Sequence, residues 1–99
     1  ATEDVTLETI RKTFDTNNLL LCPHTAVGVY VANLVRAKDT PMITLATAHP
    51  AKFPDAVEKA TGLRPPLPER IGDIYECKER LLRVNNDINE IKQIIKERI

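Results

Sequence analysis

Prolines cut this chain into short pieces, and their placement limits the elements it can form. Pro23, Pro41, Pro54 and the run Arg64-Pro65-Pro66-Leu67-Pro68 each end or open an element, because proline fixes φ, donates no backbone hydrogen bond and pushes the preceding residue out of the helical region. Before Pro23, residues 4 to 15 place Leu7, Ile10 and Phe14 on one face of a predicted helix. His24-Thr25 open a second helix running to about Lys38, with Val27, Val31, Leu34 and Val35 on an apolar side and Ala26, Gly28 and Ala32 on a thin one. Such a helix is expected to be buried over much of its circumference. Asp39-Thr40-Pro41 break it, and Met42-Ile43-Thr44-Leu45-Ala46 read as a short strand covered on both faces.

Pro54 suits the first turn of a helix over 55–60, with Gly62 as its C-terminal cap and 62–68 as a proline-rich linker. A helix from Glu69 to about Lys78 follows, with Ile71, Ile74 and Tyr75 on one face. Leu81-Leu82-Arg83-Val84 reads as a second strand. Asn86 or Asp87 then caps a last helix with an inner stripe of Ile88, Ile91 and Ile95, and Glu90 stands where a capping box would need it. Helix followed directly by strand implies parallel crossovers, hence an α/β class, mostly helical with about two short parallel strands.

Composition removes several function classes. The 14 basic residues balance 14 acidic ones, so no net field draws in nucleic acid or an anionic membrane. Four per cent aromatic residues are too few for base stacking. No apolar run approaches the ~20 residues that span a bilayer, and Ala1-Thr2-Glu3-Asp4 lack the features of a signal peptide. Cys22 and Cys77 form no C-x-x-C pair and read as free thiols of a soluble cytoplasmic protein. Residues 1–99 form at most one domain, and the chain is expected to begin within a longer protein.

Two segments carry chemistry. Cys22-Pro23-His24-Thr25-Ala26-Val27-Gly28 opens a helix with small and polar residues. Thr44-Leu45-Ala46-Thr47-Ala48-His49-Pro50-Ala51-Lys52-Phe53-Pro54 puts hydroxyls and charges where an apolar strand would otherwise continue. Together they resemble the C-terminal part of threonine synthase and threonine-synthase-like proteins, over roughly residues 18 to 99. The resemblance implies the C-terminal fragment of a three-layer α/β, tryptophan synthase β-like (fold type II) enzyme that uses pyridoxal phosphate. The N-terminal remainder of the parent enzyme is then its partner and supplies the Schiff-base lysine. The implied reaction is phosphate elimination from a phosphorylated hydroxy-amino acid, O-phosphohomoserine or a related O-phospho compound. The fragment alone is expected to be inactive.

On the residues alone, Thr47 is a threonine bonding backbone at a strand end. The resemblance assigns it to cofactor binding, through the pyridine nitrogen of pyridoxal phosphate, with Thr44 the rival hydroxyl. His49 and Lys52 follow the strand and can meet a substrate phosphate; backbone bonding and solvation are their plainer roles. His24 is a further substrate-binding candidate, or a helix-start residue bonding its own first turn. Many members of the family have an acidic residue where this chain has Cys22, which then reads as a buried structural thiol. Cys22, His24, His49 and Cys77 are zinc-ligand types, but no close pair brackets a turn and no metal site is expected. Two other readings stand beside the enzyme fragment: a stand-alone non-catalytic interaction module derived from the same fold, and a small metal-binding regulator.

Overall fold

A computed structural model describes residues 1–99. The chain is helical: α1 (Glu3–Asn17), α2 (Pro23–Val35), a 3-10 turn at Pro50–Lys52, α3 (Pro54–Thr61), a second 3-10 turn at Glu69–Ile71, and α4 (Ile88–Lys96). Each long helix has a local reason to start and stop. The Thr2 side chain accepts the Val5 N–H at the head of α1, with Glu3 and Asp4 in its first turn. Asn18 closes α1 in the left-handed region at φ 52°. Cys22 caps α2, with Pro23 in the first turn. Gly62, at φ 75°, ends α3 as expected.

The core lies where α1 meets α2 and α3. Ile10, Leu21 and Ala26 are its buried centre, Val29 and Ala60 pack against it, and Val57 is buried on the inner side of α3. Of the three residues expected to face inward from α1, Ile10 is fully buried and Leu7 and Phe14 are half-buried. An ion pair from Lys59 to Glu3 at 2.9 Å joins α3 to the start of α1, and Arg64 bonds Asp55 and Glu58 at 3.1 and 2.7 Å, holding the proline-rich stretch to α3.

The strands expected at 42–46 and 81–84 do not form; the structure contains no strand, so the α/β class with two parallel strands is corrected to an all-helical one. The reason is the pairing that a strand requires. Residues 41–48 make no backbone–backbone hydrogen bond, and neither do 81–84, so apolar β-branched composition leaves them without a ladder. The helix expected over 69–78 shrinks to one 3-10 turn followed by turns, because its whole length is exposed and nothing supports it. In α4, Ile88 and Ile95 are exposed and Ile91 and Ile94 half-buried. Asp87 caps this helix through the Asn89 N–H, but Glu90 accepts from Asn85 at 2.9 Å, so the capping box stays open.

The α2 helix is likewise less enclosed than its sequence suggests: Val27, Val31, Leu34 and Val35 are exposed, Leu34 at 65%. The radius of gyration is 18.7 Å, against about 13 Å for a compact domain of this length. The accessible surface is 8429 Å² for 11.1 kDa, against about 5,700 Å² for a folded monomer of that mass. Much of the apolar surface of this chain is therefore uncovered.

Candidate functional site

The extended segment 41–48 lies along α2 and brings Thr47 to the first turn of that helix. Three side chains meet there. Cys22 Sγ is 3.1 Å from Thr25 Oγ1 and 3.7 Å from Thr47 Oγ1. Thr25 Oγ1 accepts the Thr47 backbone N–H at 3.1 Å and stands 3.4 Å from the Thr47 hydroxyl. The sulfur also accepts the Thr25 N–H at 3.4 Å, as a helix-capping atom does. Cys22 is 1% exposed and Thr25 4%, whereas Thr47 is open to solvent.

Burial pushes the Cys22 thiol upward. Hydrogen bonds from the Thr25 hydroxyl and amide, the Thr47 hydroxyl and the Ala48 amide outweigh it, and the net direction is down from the ordinary 9.0. The buried structural thiol expected at this position is thus also an acceptor tied to the candidate cofactor residue.

Thr47 borders two hollows. One, of about 450 Å³, is walled by Leu19, Leu20, Leu21, Ala46 and Ala48, with Cys22 and Thr25 behind. The other, of about 610 Å³, also holds His49 and Lys52 and is bounded by Leu67, Ile71 and Tyr75. The structure therefore gathers Thr47, His49 and Lys52 around one opening. His49 Nδ1 accepts the Ala51 N–H at 3.2 Å and caps the 3-10 turn, which leaves Nε2 to carry the ring proton in the neutral form.

His24 lies elsewhere. Its ring packs on Phe53 with centroids 4.8 Å apart, and it lines a third hollow, of about 330 Å³, with Glu3, Pro23 and Lys59. Thr44, the rival hydroxyl, points its methyl at Gly28 instead of into the opening. Cys77 is exposed, and no group of three or more His, Cys, Asp or Glu side chains is assembled as a metal site would need.

Sequence reasoning missed Thr25. It stands three residues after the Cys22 cap, a spacing at which a side chain returns to the helix start, and that was its available signal. Its contact with Thr47 crosses 22 residues and left no local trace.

The family described as "Threonine synthase, C-terminal" matches residues 25–95. Threonine synthase of Pseudomonas aeruginosa is 40% identical over 97 residues, covering 96% of this chain and 21% of that protein. Threonine synthase-like 2 of Xenopus laevis is 38% identical over 81 residues, covering 80% of this chain and 17% of that protein. The crystal structure of PLP-bound threonine synthase from Brucella melitensis superposes with a TM-score of 0.84 at 39% identity, covering 98% of this chain and 21% of that one. The chain thus spans about a fifth of the length of the relatives it matches.

Proposed function

Because the chain belongs to the threonine synthase C-terminal family, we propose that it is the C-terminal segment of a pyridoxal-phosphate enzyme of amino-acid metabolism, with Thr47 bonding the cofactor's ring nitrogen. The observation that carries this reading is Thr47 itself. Its main chain is fixed by Thr25, its hydroxyl makes no contact shorter than 3.4 Å, and it faces a hollow whose wall is otherwise mainly apolar.

That donor set fits the ring end of the cofactor: a flat aromatic needs apolar walls and one polar group at its nitrogen. When bound, pyridoxal phosphate acts as an electron sink for an amino acid's α-carbon. Thr47 is neutral at every working pH, so it bonds the ring nitrogen without holding a proton there as a carboxylate would, and it moderates that sink. On the other side of Thr47, His49 and Lys52 line the adjoining larger hollow, where an Nε2–H and an ammonium can bind the phosphate of a phosphorylated hydroxy-amino acid. O-phosphohomoserine is the substrate proposed, with phosphate as the leaving group. His24, packed on Phe53 away from this opening, has no part in the proposal.

The rest of the machinery, including the lysine that carries the cofactor, is assigned to residues outside this chain, in a cytoplasmic enzyme. The uncovered valines and leucine of α2 and the large radius of gyration support a segment made to be covered by more protein, and weigh against a stand-alone interaction module. No helix is long and apolar enough to cross a membrane.

The test uses the full-length enzyme with Thr47→Ala and Thr47→Ser. Losing the hydroxyl should cost cofactor binding about 1–3 kcal/mol, while Ser retains most of it. Fluorescence titration with pyridoxal phosphate reads the affinity, and phosphate release from O-phosphohomoserine reads the reaction. If both variants bind the cofactor as the parent does, Thr47 is a structural residue. If the parent releases no phosphate, the substrate assignment fails.

A further inference from the structure

We propose that Thr25 is a positioning residue for Thr47: it anchors the Thr47 main chain and turns its own proton to Cys22, so that the Thr47 hydroxyl keeps only a long sulfur contact to exchange for a ligand. This deepens the reading above and rests on it. A threonine hydroxyl has one proton to give and two lone pairs with which to accept. One lone pair of Thr25 Oγ1 takes the Thr47 N–H at 3.1 Å.

Its proton has two possible acceptors, Cys22 Sγ at 3.1 Å and Thr47 Oγ1 at 3.4 Å. Hydroxyl-to-oxygen bonds run at about 2.5–3.0 Å, so the second contact is long. Sulfur is the larger atom, so the first contact is close. The proton therefore goes to the sulfur. Thr47 Oγ1 is left with a long 3.4 Å contact to Thr25 and a 3.7 Å bond to the Cys22 sulfur, the longer of the two hydroxyl contacts that sulfur makes and the one a ligand can displace.

The anchor matters because segment 41–48 has no backbone–backbone hydrogen bond. The Thr47 N–H to Thr25 bond ties the segment to the first turn of α2, which Pro23 and the Cys22 cap hold in place. Without the Thr25 hydroxyl, Thr47 would still stand beside the hollow but no longer at a set distance from its wall. Thr25 touches no ligand in this account and acts only through Thr47.

The experiment compares Thr25→Val, which keeps the shape and removes the hydroxyl, with Thr25→Ser, which keeps the hydroxyl. Both are made in the full-length holoenzyme, with and without Thr47→Ala. Pyridoxal phosphate affinity, the visible absorption band of the bound cofactor and the melting temperature are measured. Thr25→Val should weaken the cofactor about tenfold and displace its band, and Thr25→Ser should recover most of the affinity. On the Thr47→Ala background, Thr25→Val should add less than about twofold, because the two residues act as one unit.

An equal penalty on both backgrounds, or a fall in melting temperature with the band unmoved, overturns the positioning role while leaving the Thr47 assignment intact. If Thr47→Ala alone leaves affinity and band unchanged, the Thr47 assignment itself has failed. Should Thr25→Val give no folded holoenzyme, Cys22→Ala carries the test. It removes the sulfur acceptor and redirects the Thr25 proton to Thr47 Oγ1, so the cofactor band should shift. An unshifted band there overturns the proposal.

Discussion

The Cγ2 methyl of Thr44 lies 3.1 Å from the point where a β-carbon on Gly28 would stand. The extended segment can run along α2 because residue 28 has no side chain, and the position of Thr47, three residues on, follows from that contact. Alanine at 28 gains up to about 1 kcal/mol of helix propensity, yet crowds Thr44. Gly28→Ala should therefore leave the melting temperature of the full-length protein nearly unchanged while weakening cofactor binding, since the strain is relieved by moving the segment and not the helix. Adding Thr44→Ala should restore binding. Equal binding by Gly28→Ala and its parent would show that segment and helix are not coupled.

The helices α1 to α4 are legible in the sequence because their signals are local, whereas the apolar spacing of Ile71, Ile74 and Tyr75 finds no partner and gives only one 3-10 turn. Pro54 and Gly62 bound α3, and the spacing of Leu7, Ile10 and Phe14 marks α1. Segments 42–46 and 81–84 have the composition of strands but form none, because a strand depends on a neighbour, and no neighbour is written into the segment itself. The same limit applied at the site. Thr47 stood out in its string of residues, whereas Thr25 acquires its role only once the chain has folded back on α2.

Ile10 is the fully buried side chain on which α1 meets the rest of the core. Ile10→Ala should cost about 2–5 kcal/mol, the range for a large aliphatic cut down inside a packed interior. Thermal or urea unfolding of the full-length protein measures it. A cost well below that range would mean that α1 is not held by this core.

Cys22 gives a pH-dependent test. Burial raises its pKa, but the surrounding hydroxyl and amide donors win and hold it below 9.0. A thiol that ionises more readily folded than unfolded adds stability above the unfolded value and loses that contribution as pH falls through the lowered folded value. The stability advantage of the parent over Cys22→Ser should therefore be larger near pH ~9.5 than near ~7. An advantage that is flat or shrinks with rising pH would contradict the donor arrangement around the sulfur.

Expressed alone, residues 1–99 should show no pyridoxal-phosphate-dependent phosphate release from O-phosphohomoserine and should self-associate, because Leu34 and Ile43 stand 65% and 83% exposed. Light scattering and binding of a hydrophobic dye report the association. Ile43→Ala should cost little in this isolated chain and distinctly more in the full-length protein. Equal cost in both would mean that the rest of the protein does not cover this face. A chelator should leave the helical signal unchanged, and its loss would revive a metal-dependent fold.

The hydrogen bond between the Thr47 amide and the Thr25 hydroxyl closes a loop between residues 22 positions apart. Closing such a loop in a floppy chain costs roughly 2–3 kcal/mol of chain entropy, more than the ~1 kcal/mol one hydrogen bond returns. The loop closes because half of it, residues 25–35, is already a rod, so that only 36–46 must find their way back. The placing of Thr47 thus depends on the first turn of α2: a substitution that unwinds that turn would release Thr47 from its anchor even where the core around Ile10 is intact.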